Sequence, residues 1–185
     1  MGKFTLRSAP IEGLLLIETK KFGDSRGFFM ETWNERDFEE LGLKLKFVQD
    51  NCSRSQKGTL RGLHFQKRRP QGKLVKVTNG EVFDVAVDLR KSSPTYGSWY
   101  AATLRGDEGT LLYVPPGFAH GFYVVSDYAD FMYKCTDFYA PEDEGGLLWN
   151  DPSVGIRWPI DDKSQLIVSD KDKLHPTLDR CFTYP

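Results

Sequence analysis

The sequence predicts an all-β fold, an antiparallel jelly-roll barrel with short elements at its ends. Three observations carry that expectation. Short apolar or alternating runs recur through the middle of the chain, each closed by a turn signal. Aromatic residues make up 14% of the 185 residues, with Phe and Tyr dominant, and such residues suit pleated, half-buried strands. Helical spacing with caps occurs in one early segment and then not again before the acidic, proline-rich C-terminal third.

Taken in order, Gly13 to Glu18 reads as an apolar strand without a local hairpin partner. An unpaired edge is a liability unless covered, so this strand is expected to pair across a homodimer. Asn34 is a helix N-cap, with Glu35 and Asp37 in the first turn, Phe38 and Leu41 on one face and Gly42 closing it. Leu74–Thr78 and Glu81–Leu89 flank Asn79-Gly80, which predicts a β-hairpin. Within the second run, Val82, Asp84, Ala86 and Asp88 share one face, and Phe83, Val85, Val87 and Leu89 the other. Further strands are expected at Trp99–Leu104, Thr110–Val114, Gly121–Val125 and Asp130–Phe138. Arg105-Gly106-Asp107, Pro115-Pro116-Gly117 and Ser126-Asp127 separate them. No repeat breaks the chain, and residues 1–185 read as one domain.

The net charge of -1 supplies no basic field for nucleic acid. Any anionic ligand therefore needs a local cluster of Arg and Lys. The apolar run Leu14–Ile17 is far too short to cross a membrane, and the first residues lack a signal-peptide layout. Cys52, Cys135 and Cys181 are odd in number and widely spaced, which points to reduced thiols and a cytoplasmic setting.

Histidine is scarce, and two of the three lie in suggestive places. His64 sits in Thr59-Leu60-Arg61-Gly62-Leu63-His64-Phe65-Gln66, where alternation puts His64 and Gln66 on one face and Phe65 on the other. Arg61 and Lys73 are close by in sequence. Cations beside an imidazole do little for stability but make sense where an anion binds. His120 follows Gly109 and the bend Pro115-Pro116-Gly117. This Gly…Pro-x-Gly-x-x-His spacing resembles the second motif of the cupin superfamily, whose fold is a jelly roll. Metal-binding cupins carry His-x-His in the first motif, and here it reads His64-x-Gln66. Two histidines and a neutral amide make a weak transition-metal site, so no metal is expected. His175, in Leu174-His175-Pro176, reads as part of an exposed loop.

The chain also resembles, nearly end to end, the dTDP-4-dehydrorhamnose 3,5-epimerase family. The resemblance rests on Phe22–Glu31 (FGDSRGFFME), Phe47–Ser53 (FVQDNCS), Leu60–Gln66 (LRGLHFQ) and Gln71–Val75 (QGKLV). It continues through Val114–Phe122 (VPPGFAHGF), Tyr133–Tyr139 (YKCTDFY), Trp149–Pro152 (WNDP) and Leu166–Asp172 (LIVSDKD). Each fragment is weak alone, but their order and spacing together are specific. The resemblance implies a cupin-like subunit, a homodimer with N-terminal strand exchange, and the substrate dTDP-4-keto-6-deoxyglucose. A 4-ketone acidifies the protons on C3 and C5, so epimerisation needs a base, an acid on the opposite face and an enolate stabiliser. It needs no redox cofactor, and no Gly-rich dinucleotide motif is present.

By the same resemblance His64 is the base, Asp170 the carboxylate that orients it, Tyr133 the acid and Lys73 the enolate stabiliser. Arg26 and Arg61 would hold the diphosphate, Arg26 coming from the partner subunit. Phe22 and Phe29 would pack on the thymine. Glu31, Gln49, Asp50 and Asn51 would supply hydrogen bonds, and His120, Glu144 and Lys171 further substrate contacts. Without the resemblance, Asp170 reads as a turn residue and Tyr133 as a core aromatic. The alternatives are a single-carbon epimerase or ketoisomerase on the same fold, a metal-dependent cupin oxygenase, and a non-catalytic sugar-nucleotide module.

Overall fold

The computed structural model describes residues 2–185. Its elements are β1 (Phe4–Ser8), β2 (Leu15–Thr19), β3 (Lys21–Asp24), β4 (Gly27–Met30), α1 (Glu35–Glu40), β5 (Gln49–Gln56) and β6 (Thr59–Gln66). They continue with β7 (Lys73–Asn79), β8 (Glu81–Asp88), β9 (Trp99–Arg105), β10 (Thr110–Val114), β11 (Phe118–Val124) and β12 (Tyr128–Cys135). The last are β13 (Glu144–Gly146), β14 (Ile167–Val168) and α2 (Asp170–Lys173). One sheet runs β1-β2-β10-β7-β12-β5 and the other β13-β6-β11-β8-β9, with β14 beside β6 in parallel. The two face each other as a jelly roll, while β3 and β4 form a separate hairpin.

Alternation within the strands builds three apolar layers. Val75, Val77 and Leu112 of the first sheet meet Val82, Ala86, Phe118 and Phe122 of the second in the barrel interior. On the outer side of the first sheet, Leu74, Leu111 and Tyr113 pack against Phe38 of α1. Outside the second, Val85, Val87 and Leu89 are covered by Leu147, Val154 and Tyr184. The two-faced reading of β8 therefore holds, with both faces buried. The α1 reading holds as well. The Asn34 side chain accepts from the backbone N–H groups of Arg36 and Asp37, and Gly42 takes φ +85° just beyond the helix, a conformation glycine reaches without strain.

Two expectations are corrected. The runs flanking Asn79-Gly80 do not pair with each other: β7 lies between β10 and β12, and β8 between β11 and β9. Gly80, at φ +79°, turns the chain over the barrel edge from one sheet to the other. A hairpin would have left the inner faces of β7 and β8 in one layer, whereas the corner sets Val77 and Val82 opposite each other in the interior. Second, the N-terminal strand is not without a partner in its own chain. β2 pairs with β1 through Leu6↔Ile17 and with β10 through Leu111↔Ile17, so the outer edge of this sheet is β1.

Candidate active site

The inner faces of both sheets turn polar toward one end of the barrel. There a cavity of about 610 Å³ is lined by His64, Arg61, Lys73, His120, Tyr133 and Asp172, among others. β6 and β11 run antiparallel with His64 opposite His120, so one wall carries two imidazoles. The facing sheet supplies Lys73 from β7 and Tyr133 from β12, strands paired through Tyr133↔Val75 and Cys135↔Lys73.

His64 Nε2 lies 2.8 Å from Asp172 Oδ1, and the backbone N–H of Gly62 donates to Asp172 Oδ2 at 3.0 Å. Burial works against ionising this carboxyl, but contacts with His175, His64 and the Gly62 N–H outweigh it and hold it well below the usual carboxylate range. An ionised carboxylate only accepts, so His64 carries its proton on Nε2 and keeps Nδ1 as the free basic nitrogen. His120 makes a second pair, its Nε2 2.9 Å from Asp84 Oδ1 and 3.0 Å from Oδ2, with both side chains buried.

Lys73 is reached through the cavity yet encircled by protein. Desolvation lowers its pKa, and Cys135, Asp84 and Glu144 offset this only from a distance. Burial raises the Tyr133 phenol, so it stays protonated at neutral pH. At the mouth, Glu144 accepts from Lys171 and, at 2.8 Å, from Tyr139. Burial opposes its ionisation, and those two partners lower its pKa despite that.

The ligand atoms of His64, Asp172 and His175 converge within 4.8 Å, the one such trio among the described residues. The 2.8 Å contact between His64 and Asp172 is a hydrogen-bond distance. Two ligands on a tetrahedral metal at about 2.0–2.1 Å would stand roughly 3.3 Å apart. The spacing is that of a hydrogen-bonded imidazole and carboxylate.

A family model described as dTDP-4-dehydrorhamnose 3,5-epimerase matches residues 8–180. The chain belongs to the dTDP-4-dehydrorhamnose 3,5-epimerase family. The Salmonella typhimurium dTDP-4-dehydrorhamnose 3,5-epimerase is 52% identical over 174 residues, covering 93% of this chain and 94% of that protein. The Methanothermobacter thermautotrophicus dTDP-4-dehydrorhamnose 3,5-epimerase is 50% identical over 173 residues, 94% of each. The crystal structure of the Legionella pneumophila dTDP-6-deoxy-D-glucose-3,5-epimerase in complex with dTDP-4-keto-L-rhamnose matches with a TM-score of 0.92 and 49% identity, covering 96% of this chain and 94% of that one. As a member of this epimerase family the chain is an isomerase with a cupin-like jelly roll.

Of the residues singled out in the sequence, His64, Arg61, Lys73, His120, Tyr133, Asn51, Glu144 and Lys171 line the epimerase cavity. Gln49 stands at its mouth, donating to Asn51 Oδ1 at 3.0 Å and accepting from the Tyr139 N–H at 2.9 Å. Asp50 points to the other face of β5 and pairs with Lys134. Glu31 lies by α1, bonded to Lys3 and Asn34. Phe22, Arg26 and Phe29 sit on the β3–β4 hairpin and touch none of this chain's cavity.

The carboxylate that bonds His64 is Asp172, which corrects the expectation of Asp170. Ser169 caps α2 by accepting from the Asp172 N–H. This directs Asp172 inward, while Asp170, at the first helical position, is 95% exposed and pairs with Lys173. The signal was present as Ser169-x-x-Asp172, the spacing of a helix-capping serine and an acid one turn on. Asp84 shares its face of β8 with Val82, Ala86 and Asp88, and the alternation alone gave it no role. His175 is not in an exposed loop; its side chain is 10% exposed beneath the catalytic pair.

Among the described residues no helix is long and apolar enough to cross a membrane.

Proposed function

We propose that this chain epimerises C3 and C5 of dTDP-4-keto-6-deoxyglucose to dTDP-4-keto-L-rhamnose, a step of dTDP-L-rhamnose biosynthesis, in the cytoplasm and without a cofactor. The observation that carries this is the placement of base and acid on opposing sheets, His64 on β6 and Tyr133 on β12, around one cavity that also holds a half-buried lysine. A sugar ring between the sheets would present one face to each.

His64 Nδ1 removes the proton from C3 or C5, and the electron pair of that C–H bond moves onto the C4 oxygen. Asp172 stabilises the resulting imidazolium. The Lys73 ammonium meets the enolate oxygen, and its desolvated setting strengthens that attraction. The Tyr133 O–H then protonates the carbon from the other face. Solvent returns a proton to tyrosinate and takes one from His64 before the second carbon reacts. Arg61, which donates to Ser55 Oγ at 2.9 Å at the cavity wall, is available to the diphosphate.

The β3–β4 hairpin supports the homodimer. Its Phe22, Phe28 and Phe29 are 48%, 49% and 68% exposed, an unusual cluster of bare aromatic rings. We take the hairpin to reach a neighbouring subunit, with Arg26 and Phe29 directed at that subunit's nucleotide.

The test is incubation with dTDP-4-keto-6-deoxyglucose in deuterated water, followed by nuclear magnetic resonance. Wild type incorporates deuterium at both carbons with inversion, and His64→Ala does neither. Tyr133→Phe keeps exchange at one or both carbons while inversion falls by roughly 10²–10⁴-fold. Exchange at a single carbon in wild type would instead establish a single-carbon epimerase. Activity lost on exhaustive chelation and restored by one divalent metal would overturn the cofactor-free reading.

A further inference from the structure

His175 is a buried imidazole for which the reaction above has no use. Its ring lies flat over Gly146, where a Cβ would stand 2.3 Å from both Cε1 and Nδ1 of the histidine. Gly146 in turn pairs with His64 across β13 and β6. The missing side chain thus makes a slot that holds His175 edge-on to His64, ring centres 5.4 Å apart and planes at 85°. From there His175 Nε2 lies 3.4 Å from Asp172 Oδ1, the oxygen that His64 engages at 2.8 Å. His175 Nε2 is buried and has no well-formed hydrogen bond among the described residues. A buried polar atom left this way calls for an explanation.

We propose that His175 is a positioning residue, a second imidazole that shares Asp172 Oδ1 with His64 and so limits how firmly that carboxylate holds a proton on the base. The proposal rests on His64 being the base. A neutral His175 with its proton on Nε2 directs a partial positive charge at Oδ1. Negative charge drawn toward His175 no longer stabilises an imidazolium at His64. The base still accepts the substrate proton but gives it up more readily between the two carbons, as a double epimerisation requires. Other charged groups lie near: Lys67, Glu144, Lys171 and Arg180 line the groove outside His175, and Lys73 faces His64 from the cavity. Cys181, in the same groove, is pushed up to about 11 by burial and does not titrate near neutrality. Substituting His175 leaves all of these in place.

The experiment is the pH dependence of kcat/KM for wild type, His175→Phe and His175→Gln. Phe keeps the ring volume and loses the nitrogen, whereas the Gln amide nitrogen reaches the place of Nε2. The acid limb of His175→Phe is expected to move to higher pH by roughly half to one unit, since one polar contact to a charged group has about that effect. His175→Gln is expected to keep the wild-type limb. If the Phe variant fails to fold, His175→Asn replaces it: its amide reaches only as far as Nδ1, so its limb should move while that of Gln does not. Limbs that coincide in all variants, with only kcat or melting temperature changed, would overturn the proposal. Absence of solvent exchange at C3 and C5 in wild type would overturn the reaction itself, so the two failures are read from different samples.

Discussion

Two carboxylates two residues apart receive opposite environments from one short helix. Asp170 is solvated beside Lys173, whereas Asp172 is buried between two imidazoles and a backbone N–H. Asp172→Asn is expected to lower kcat by roughly 10²–10⁴-fold, because the amide neither fixes the His64 tautomer nor stabilises its cation. Asp170→Asn should stay within about twofold of wild type; steady-state kinetics on the pair checks both. The sequence reads here as a turn, and that reading shows neither the helix start nor which acid faces inward. Register within a single turn depends on where the helix begins, and Ser169 decides that here. Lys73 shows the cost of such a site. Its depressed pKa means that the unfolded chain holds the proton more tightly. Stability therefore falls as pH drops from about 10.4 to the folded value, and the penalty is complete below it. Lys73→Met, of similar volume, should remove that penalty. We expect it to abolish activity yet raise stability at pH 7 by about 1 kcal/mol, or roughly 2–4 °C in a thermal melt. A lower melting temperature would show that the ammonium is held favourably.

At the scale of elements, most strands announced themselves by apolar alternation, and β5 did not. Its sequence, QDNCSRSQ, carries no apolar face, because its inward residues Asn51 and Ser53 line the cavity rather than the core. β5 thus serves the site and for that reason shows no hydrophobic pattern. The Asn79-Gly80 pair misleads in another way. Asn-Gly favours a tight left-handed turn, but nothing local says whether the emerging strands pair or part. That choice is made by longer-range contacts: Asn79 is claimed by Asp130 of β12, and Gly80 fits under Tyr128. A Cβ at Gly80 would stand 2.1 Å from the Tyr128 carbonyl oxygen. Gly80→Ala is therefore expected to cost more than the roughly 1–2 kcal/mol of an ordinary left-handed glycine. Urea unfolding that gave less than 1 kcal/mol would mean that the corner relaxes freely.

Across the whole molecule, the jelly roll supplies two walls, and the C-terminal third closes one of them from outside. Part of the layering was legible, since alternation on β8 separated its two faces correctly, though not which of them turns inward. The proposed nucleotide end of the site draws on a second subunit. Arg26 lies on a hairpin remote from its own cavity, bonded only to Asp24. If the hairpin serves a neighbouring subunit, inactive chains should complement one another. Mixing His64→Ala chains with chains carrying both Arg26→Ala and Phe29→Ala should produce heterodimers in which one site has His64 from one chain and an intact hairpin from the other. We expect activity to recover toward a quarter of the wild-type level on statistical mixing, with no recovery for either variant alone. A mixture no more active than the sum of its parts would confine the hairpin to its own subunit.

Gln66 bears on how readily one chemistry can turn into another. Its amide donates to the carbonyl oxygens of Arg69 at 2.8 Å and Phe138 at 3.1 Å, and accepts from the Ala140 N–H at 2.6 Å. A histidine at this position offers at most one acceptor and one donor, or two donors when charged. A metal would claim one of those nitrogens, so at least two of these three groups, the buried Ala140 N–H and the part-buried Arg69 and Phe138 carbonyls, would lose their partner. Where the orphan is the buried Ala140 N–H, the cost is about 1–3 kcal/mol, a large share of a typical domain's margin. Gln66→His alone therefore unties the two loops that Gln66 holds together before it offers a metal ligand.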